Sequence, residues 1–324
     1  MKKLLCVLLA MLMLLSLAAC ADNVPDETEG EKEPEKLQLV TEYRTKGGVL
    51  SQNFGGELTL EFSYNEDYSA GNVALRGGEE LAAGRFTCDK DHNITGITLT
   101  VDGYQLQMDM TYDSHGRLLT THIRASNDQE ERTVYFTERR FDSKGRVVYN
   151  EQKIEAQSFH TVVETTYDNR GFVTEQVTTQ TFNETTNRSR ITYVFDDQGA
   201  LSAIETYDAD DNLVMRMPFT CEETTDGILC TYTEGAQSMK LLLDDKGHML
   251  QQEVYSNDSL SMKMVSTYDK AGRCTSTETQ NLSLGYIHRT EYAFLADGRQ
   301  VSVRQYNGEE LISFSETTYA TVTP

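Results

Sequence analysis

Apolar and polar residues alternate along most of the chain, and no stretch after residue 36 shows apolar residues recurring every three to four positions. Leu106, Met108, Met110 and Tyr112 share one face of such a stretch, and Met262, Met264 and Tyr268 share another. A period of two marks half-buried strands, because successive side chains point to opposite faces. Segments such as HTVVETTY (160–167) and FVTEQVTTQTF (172–182) are rich in Thr, Val and aromatic residues, which suit a pleated surface. Past the turn that follows Tyr112, the same face reads Leu118, Thr120, His122, Arg124. That reading predicts a buried stripe near one end of each hairpin and a sheet wet on both faces elsewhere.

The turns themselves repeat. An aromatic or aliphatic residue, Asp, two variable residues and Gly recur as YDSHGRL from Tyr112, FDSKGRV from Phe141, YDNRGFV from Tyr167 and FDDQGAL from Phe195. The pattern returns as LDDKGHM from Leu243, YDKAGRC from Tyr268 and, less faithfully, FLADGRQ from Phe294. Degenerate copies from Cys88 and Tyr207 place His92 and Asp211 where glycine is expected, and Asp226-Gly227 marks a turn in the one double-length interval. Asp opens a type I turn because its side chain accepts backbone amides two or more residues on. Gly three residues later supplies the left-handed backbone that closes a hairpin loop with a bulge. The predicted corners are Asp113 with Gly116, Asp142 with Gly145, Asp168 with Gly171, Asp196 with Gly199, Asp244 with Gly247, Asp269 with Gly272, and Gly298 in the weaker copy. They set Tyr112 against Leu118, Phe141 against Val147, Tyr167 against Val173 and Phe195 against Leu201, and Asp113, Asp142 and Asp269 opposite Arg117, Arg146 and Arg273.

Polar clusters such as Asn183-Glu184-Thr185 and Asn257-Asp258-Ser259 close the opposite ends, so each unit of roughly 26 residues is one hairpin. The fold class is therefore all-β: an antiparallel meander of repeated hairpins in an elongated, twisted or curled sheet, open or partly closed. Residues 37–86, glycine-rich and less regular, read as an N-terminal β cap, and residues 87–324 as the repeat domain.

The first residues have another purpose. Lys2 and Lys3 precede an apolar run from Leu4 to Leu17 that is short for a membrane span and suits an export signal. It ends in Leu17-Ala18-Ala19-Cys20, which resembles the lipobox of bacterial lipoproteins. That resemblance implies cleavage after residue 19, a diacylglycerol on Cys20, and export to a bacterial membrane with the folded part outside the cytoplasm. Residues 20–36 are mostly acidic or small and lack the apolar content to fold, so they read as a tether.

Over the whole chain 51 acidic residues face 29 basic ones, a formal charge of −22. That balance excludes nucleic-acid binding by net electrostatics, since phosphate backbones demand a basic stripe.

The corner motif, across roughly residues 86–300, resembles the YD-repeat (RHS-like) families of bacterial surface and secreted proteins. The resemblance implies strand–turn–strand units that coil into a β-shell; some members enclose a C-terminal toxin, others are linked with carbohydrate binding or cell-surface contact. With about eight units and an end at Pro324 just after the last strand, this chain is expected to carry no toxin domain.

Catalytic signatures are missing from the sequence. There is no HExxH, no GxSxG elbow, no phosphate-cradling loop and no Rossmann fingerprint. The Asp89–Asn93 and Asp208–Asn212 stretches open like calcium loops but have Ile94 and Leu213 at the sixth position, where glycine belongs. They read as turns, and no metal or cofactor is expected. Cys221 and Cys230 flank a four-residue loop that would set them on adjacent strands, where they can form a disulfide or stay as two thiols. Tyr104, Tyr255 and Tyr306 are core residues or a stacking platform for sugars. The expectation is a non-enzymatic, surface-anchored binding or scaffold lipoprotein for a glycan or protein ligand. The alternative is an envelope structural or assembly protein that pairs through its sheet; a cell-surface hydrolase ranks below both.

Overall fold

The computed structural model describes residues 37–47, 56–101, 103–155, 158–197, 199–295 and 299–322. The export signal 1–19, Cys20, the tether to residue 36 and the corner at Gly298 lie outside the described residues. Among the described residues the chain forms 23 strands and no α-helix. The architecture is an all-β antiparallel meander, and it divides into two compact units.

The first unit comprises residues 37–160, 293–304 and 312–322. Its strands are β1 (Leu37–Lys46), β2 (Leu58–Tyr64), β3 (Ala70–Gly77), β4 (Glu79–Cys88), β5 (Ile94–Val101), β6 (Tyr104–Tyr112), β7 (Leu118–Ser126), β8 (Glu131–Phe141) and β9 (Val147–Ile154). Each pairs antiparallel with the next. The second unit comprises Thr161–Tyr292 and Gln305–Leu311. It holds most of β10 (Phe159–Tyr167) and all of β11 (Val173–Phe182), β12 (Thr185–Phe195), β13 (Leu201–Tyr207), β14 (Leu213–Pro218), β15 (Thr220–Thr224) and β16 (Gly227–Glu234). Then follow β17 (Gln237–Leu243), β18 (Met249–Ser256), β19 (Ser259–Tyr268), β20 (Cys274–Asn281) and β21 (Tyr286–Phe294). The chain closes with β22 (Gln300–Asn307) and β23 (Glu310–Val322), whose later residues return to pair with β1, Tyr43 opposite Thr317.

The alternation reading needs one correction. In the hairpin of β6 and β7 the register slips between Thr111 and Tyr112, so Tyr112 faces Leu118 but Met110 faces Thr121 and Met108 faces Ile123. The bulge inserts one residue and moves every later side chain to the other face. The buried stripe of β7 is thus Leu118, Thr121, Ile123 and Ala125 instead of Leu118, Thr120, His122 and Arg124. The first unit is consequently not wet on both faces. Leu58, Leu60, Leu75, Phe86, Leu99, Leu106, Met108 and Ile123 are almost wholly buried in one cluster that spans β1 to β8, from Tyr43 to Tyr135. Each such side chain contributes about 1.5–3 kcal/mol of burial. Strands β2 to β4, which come from the N-terminal segment 37–86, share this core with the repeats.

The second unit fits the original expectation better. Its core is small, comprising Leu201, Phe219, Cys230, Tyr232 and Leu241. Farther from the corners the same face carries Gln252 beside Met239, and Thr277 opposite Thr290. Between Pro218 and Thr220 the chain changes neighbour, since β14 pairs with β13 and β15 with β16. The turn at Asp226-Gly227 closes β15 onto β16, with Gly227 at φ +138°.

Candidate functional site

The corners are the most regular chemical feature of the molecule. At Asp113, Asp142, Asp168, Asp196, Asp244 and Asp269 the glycine amide donates to the aspartate carbonyl at 2.9–3.1 Å. The aspartate amide donates to the residue after the glycine, and all six glycines have φ between +75° and +105°. The aspartate Oδ1 accepts further loop amides, as in His115 and Arg117 at Asp113, or Lys246 and His248 at Asp244. The register partners match the sequence pattern: Tyr112 with Leu118, Phe141 with Val147, and Phe195 with Leu201.

A basic group completes most corners. Arg117, Arg146 and Arg273 approach their aspartates to 2.6–2.7 Å. His248 Nδ1 is 2.7 Å from Asp244. At Asp168 the residue after glycine is Phe172, and Arg170 takes over the bridge at 2.8 Å. Partial burial raises the carboxyls of Asp113, Asp142, Asp168, Asp244 and Asp269, but the donated amides and the basic neighbours outweigh it and hold them below the usual carboxylate range.

Corners also lock to one another. The Arg117 guanidinium lies 4.4 Å over the Phe141 ring, and a Cβ on Gly145 would stand 2.8 Å from its Nη1. Arg170 lies over both Phe172 and Phe195 and donates to the Gly199 carbonyl at 3.0 Å. Those two rings stack at 5.6 Å. His248 stacks on Tyr268 at 4.8 Å. Glycine here supplies a positive φ and leaves room for the neighbouring corner's side chain.

Each unit has a cavity at its corner end. In the first unit about 170 Å³ lies beside the degenerate corner at Asp89 and the corner at Asp113. Gln38, Asp91, Asn93 and Arg299 supply polar groups there, and Tyr112 and Tyr319 supply aromatic ones. Arg299 lies 4.7 Å over the Tyr319 ring, and the Tyr112 hydroxyl donates to the Ile94 carbonyl. In the second unit about 300 Å³ lies between β11–β13 and β16–β18, with a predominantly apolar lining. Neither cavity is legible in the sequence, because the walls of one draw on residues from 38 to 319 and those of the other on residues from 172 to 249.

The other candidate residues are placed as follows. Cys221 and Cys230 are register partners joined by a disulfide, with Cys230 fully buried. Tyr104 packs against the first core. Tyr255 donates to Glu253 beneath Lys240, and Tyr306 donates to Glu291 beneath Arg289, so cations already cover a face of each ring. In the degenerate corners His92 and Asp211 adopt φ +62° and +60°, taking the glycine's place. Burial and the adjacent Asp89 push the Cys88 thiol up to about 11, which keeps it protonated at neutral pH. Among the described residues no three or more His, Cys, Asp or Glu are placed to hold a metal ion, and no helix is long and apolar enough to cross a membrane.

A family profile described as "Uncharacterised protein" matches residues 195–322. No curated protein matches the chain. Among solved structures, TcdB2-TccC3 is similar over 82% of this chain at 13% identity and a TM-score of 0.30. This chain spans 17% of that one. A porin-like protein from Bacteroides uniformis ATCC 8492 is similar over 87% of this chain and 98% of its own, at 11% identity and a TM-score of 0.30.

Proposed function

We propose that the protein is an exported, lipid-anchored, non-catalytic binding module, held to a bacterial membrane through Cys20, whose locked corners present a rigid rim to a glycan. The lipobox supports the anchor, and the first-unit cavity supports the ligand class. A sugar ring needs one flat apolar platform and several planar polar side chains around it. The cavity is lined by the Tyr112 and Tyr319 rings together with Gln38, Asp91, Asn93 and Arg299, and so combines both. The test is a glycan array probed with the protein lacking residues 1–20, followed by titration of Tyr319→Ala. Binding weakened at least tenfold by that change supports the reading, and a blank array across cell-wall, host and dietary glycans sinks it.

A second reading, an envelope assembly protein, draws on the tip between β20 and β21. Leu282 is 53% and Leu284 is 74% exposed there, with Tyr286 and Ile287 above 40%. Clustered exposed apolar side chains mark contact surfaces. Sedimentation that changes with concentration, and is abolished by Leu284→Ser, would favour it.

A further inference from the structure

We infer that the second-unit cavity is a binding site for a small apolar amine, with the hydrocarbon body inside and the ammonium at Asp245. The inference does not depend on a glycan occupying the other cavity.

The walls set the body of the ligand. Phe172, Phe195, Leu201, Ile204, Leu241 and Met249 surround about 300 Å³, with the buried Cys230 of the disulfide also in the lining. A water molecule occupies about 30 Å³ in the liquid, so the space matches a ligand of roughly ten heavy atoms. Water gains little against these walls, because apolar side chains offer it few partners. An apolar occupant would take these walls out of water. The stacked rings of Phe172 and Phe195, at an interplanar angle of 21°, give an aromatic or short aliphatic body a flat wall.

Charge sets the head group. The charged lining residues are Asp244 and Asp245. Asp244 is committed to His248 and to the loop amides of Lys246 and His248. Asp245 is exposed and makes no ion pair among the described residues. Arg170, the cation nearest the aromatic wall, is neutralised by Asp168 and tied to the Gly199 carbonyl. The uncompensated charge is therefore one carboxylate beside an apolar space, which favours an ammonium and disfavours an anion.

Calorimetric titration of the intact protein at low ionic strength tests this with three probes: 2-phenylethylamine, 2-phenylethanol and 3-phenylpropionate. The amine is expected to bind about tenfold more tightly than the propionate and severalfold more tightly than the alcohol. Asp245→Asn, an exposed change that leaves the fold intact, is expected to bring the amine down to the level of the alcohol, and the Met249 methyl resonance is expected to shift with each bound probe. Absence of binding by all three at millimolar concentration would overturn the site. A propionate as tight as the amine, or an amine preference that survives Asp245→Asn, would overturn the assignment of the head group.

Discussion

The ring of Phe172 occupies the space that a side chain on Gly247 would need, with its Cε1 2.0 Å from where that Cβ would stand. The two residues are 75 positions apart and belong to different corners, yet this contact brings the start of β11 against the turn between β17 and β18, and both residues line the apolar cavity.

Gly247→Ala should therefore cost more than Gly116→Ala. Both would hold alanine at a positive φ, +83° and +75°, a penalty of about 1–2 kcal/mol. Gly116 has nothing within 4 Å of its added Cβ, whereas Gly247 must also displace the Phe172 ring. Urea denaturation should show a larger loss for Gly247→Ala, with equal losses counting against the contact.

Acid should weaken the corners. Five of their aspartates are held below the ordinary carboxylate range in the folded state. An unfolded aspartate titrates near about 3.9, so the unfolded chain binds more protons between that value and the depressed folded one. The stability is fully present above the unfolded value and is lost as pH falls through the folded one. Denaturation midpoints should be flat from pH 6 to 5 and fall below pH 4, with a shallower fall for Asp113→Asn.

The disulfide should stabilise the second unit. Its cysteines are nine residues apart, and closing a loop of that length in the unfolded chain is worth about 2.5 kcal/mol. Reduction, or the pair of changes Cys221→Ala and Cys230→Ala, should lower the denaturation free energy by about that amount. A loss confined to amides of β13 to β18 in hydrogen exchange would place the effect.

Arg170→Ala should matter more than the loss of an exposed ion pair, which is worth about 0–1 kcal/mol. The guanidinium also covers two rings and holds the Gly199 carbonyl. Arg170→Lys keeps the charge but loses the planar stacking, so it should recover less than half of the loss in thermal denaturation.

For the anchor, Cys20→Ser should move the protein from the membrane fraction to the soluble fraction and abolish labelling by a fatty-acid probe. Unchanged fractionation would argue against lipidation.

The local rules were legible in the residue order. Alternation without helical period led to strands, and Asp followed three residues later by Gly led to corners whose aromatic and aliphatic partners lie six positions apart. These interactions span few residues, so their chemistry is written in short motifs. The bulge after each corner was legible as a turn type, but its effect on Thr121 and Ile123 depends on counting parity through a register slip, and simple alternation misplaced the core of the first unit. What only the tertiary structure decided is which distant residues meet: Phe172 with Gly247, Arg170 with Gly199, and Arg299 with Tyr319 of β23. The curvature that brings them together accumulates over many strands in small twists, and no short stretch of sequence encodes that sum. Both cavities, and hence both candidate sites, are products of it.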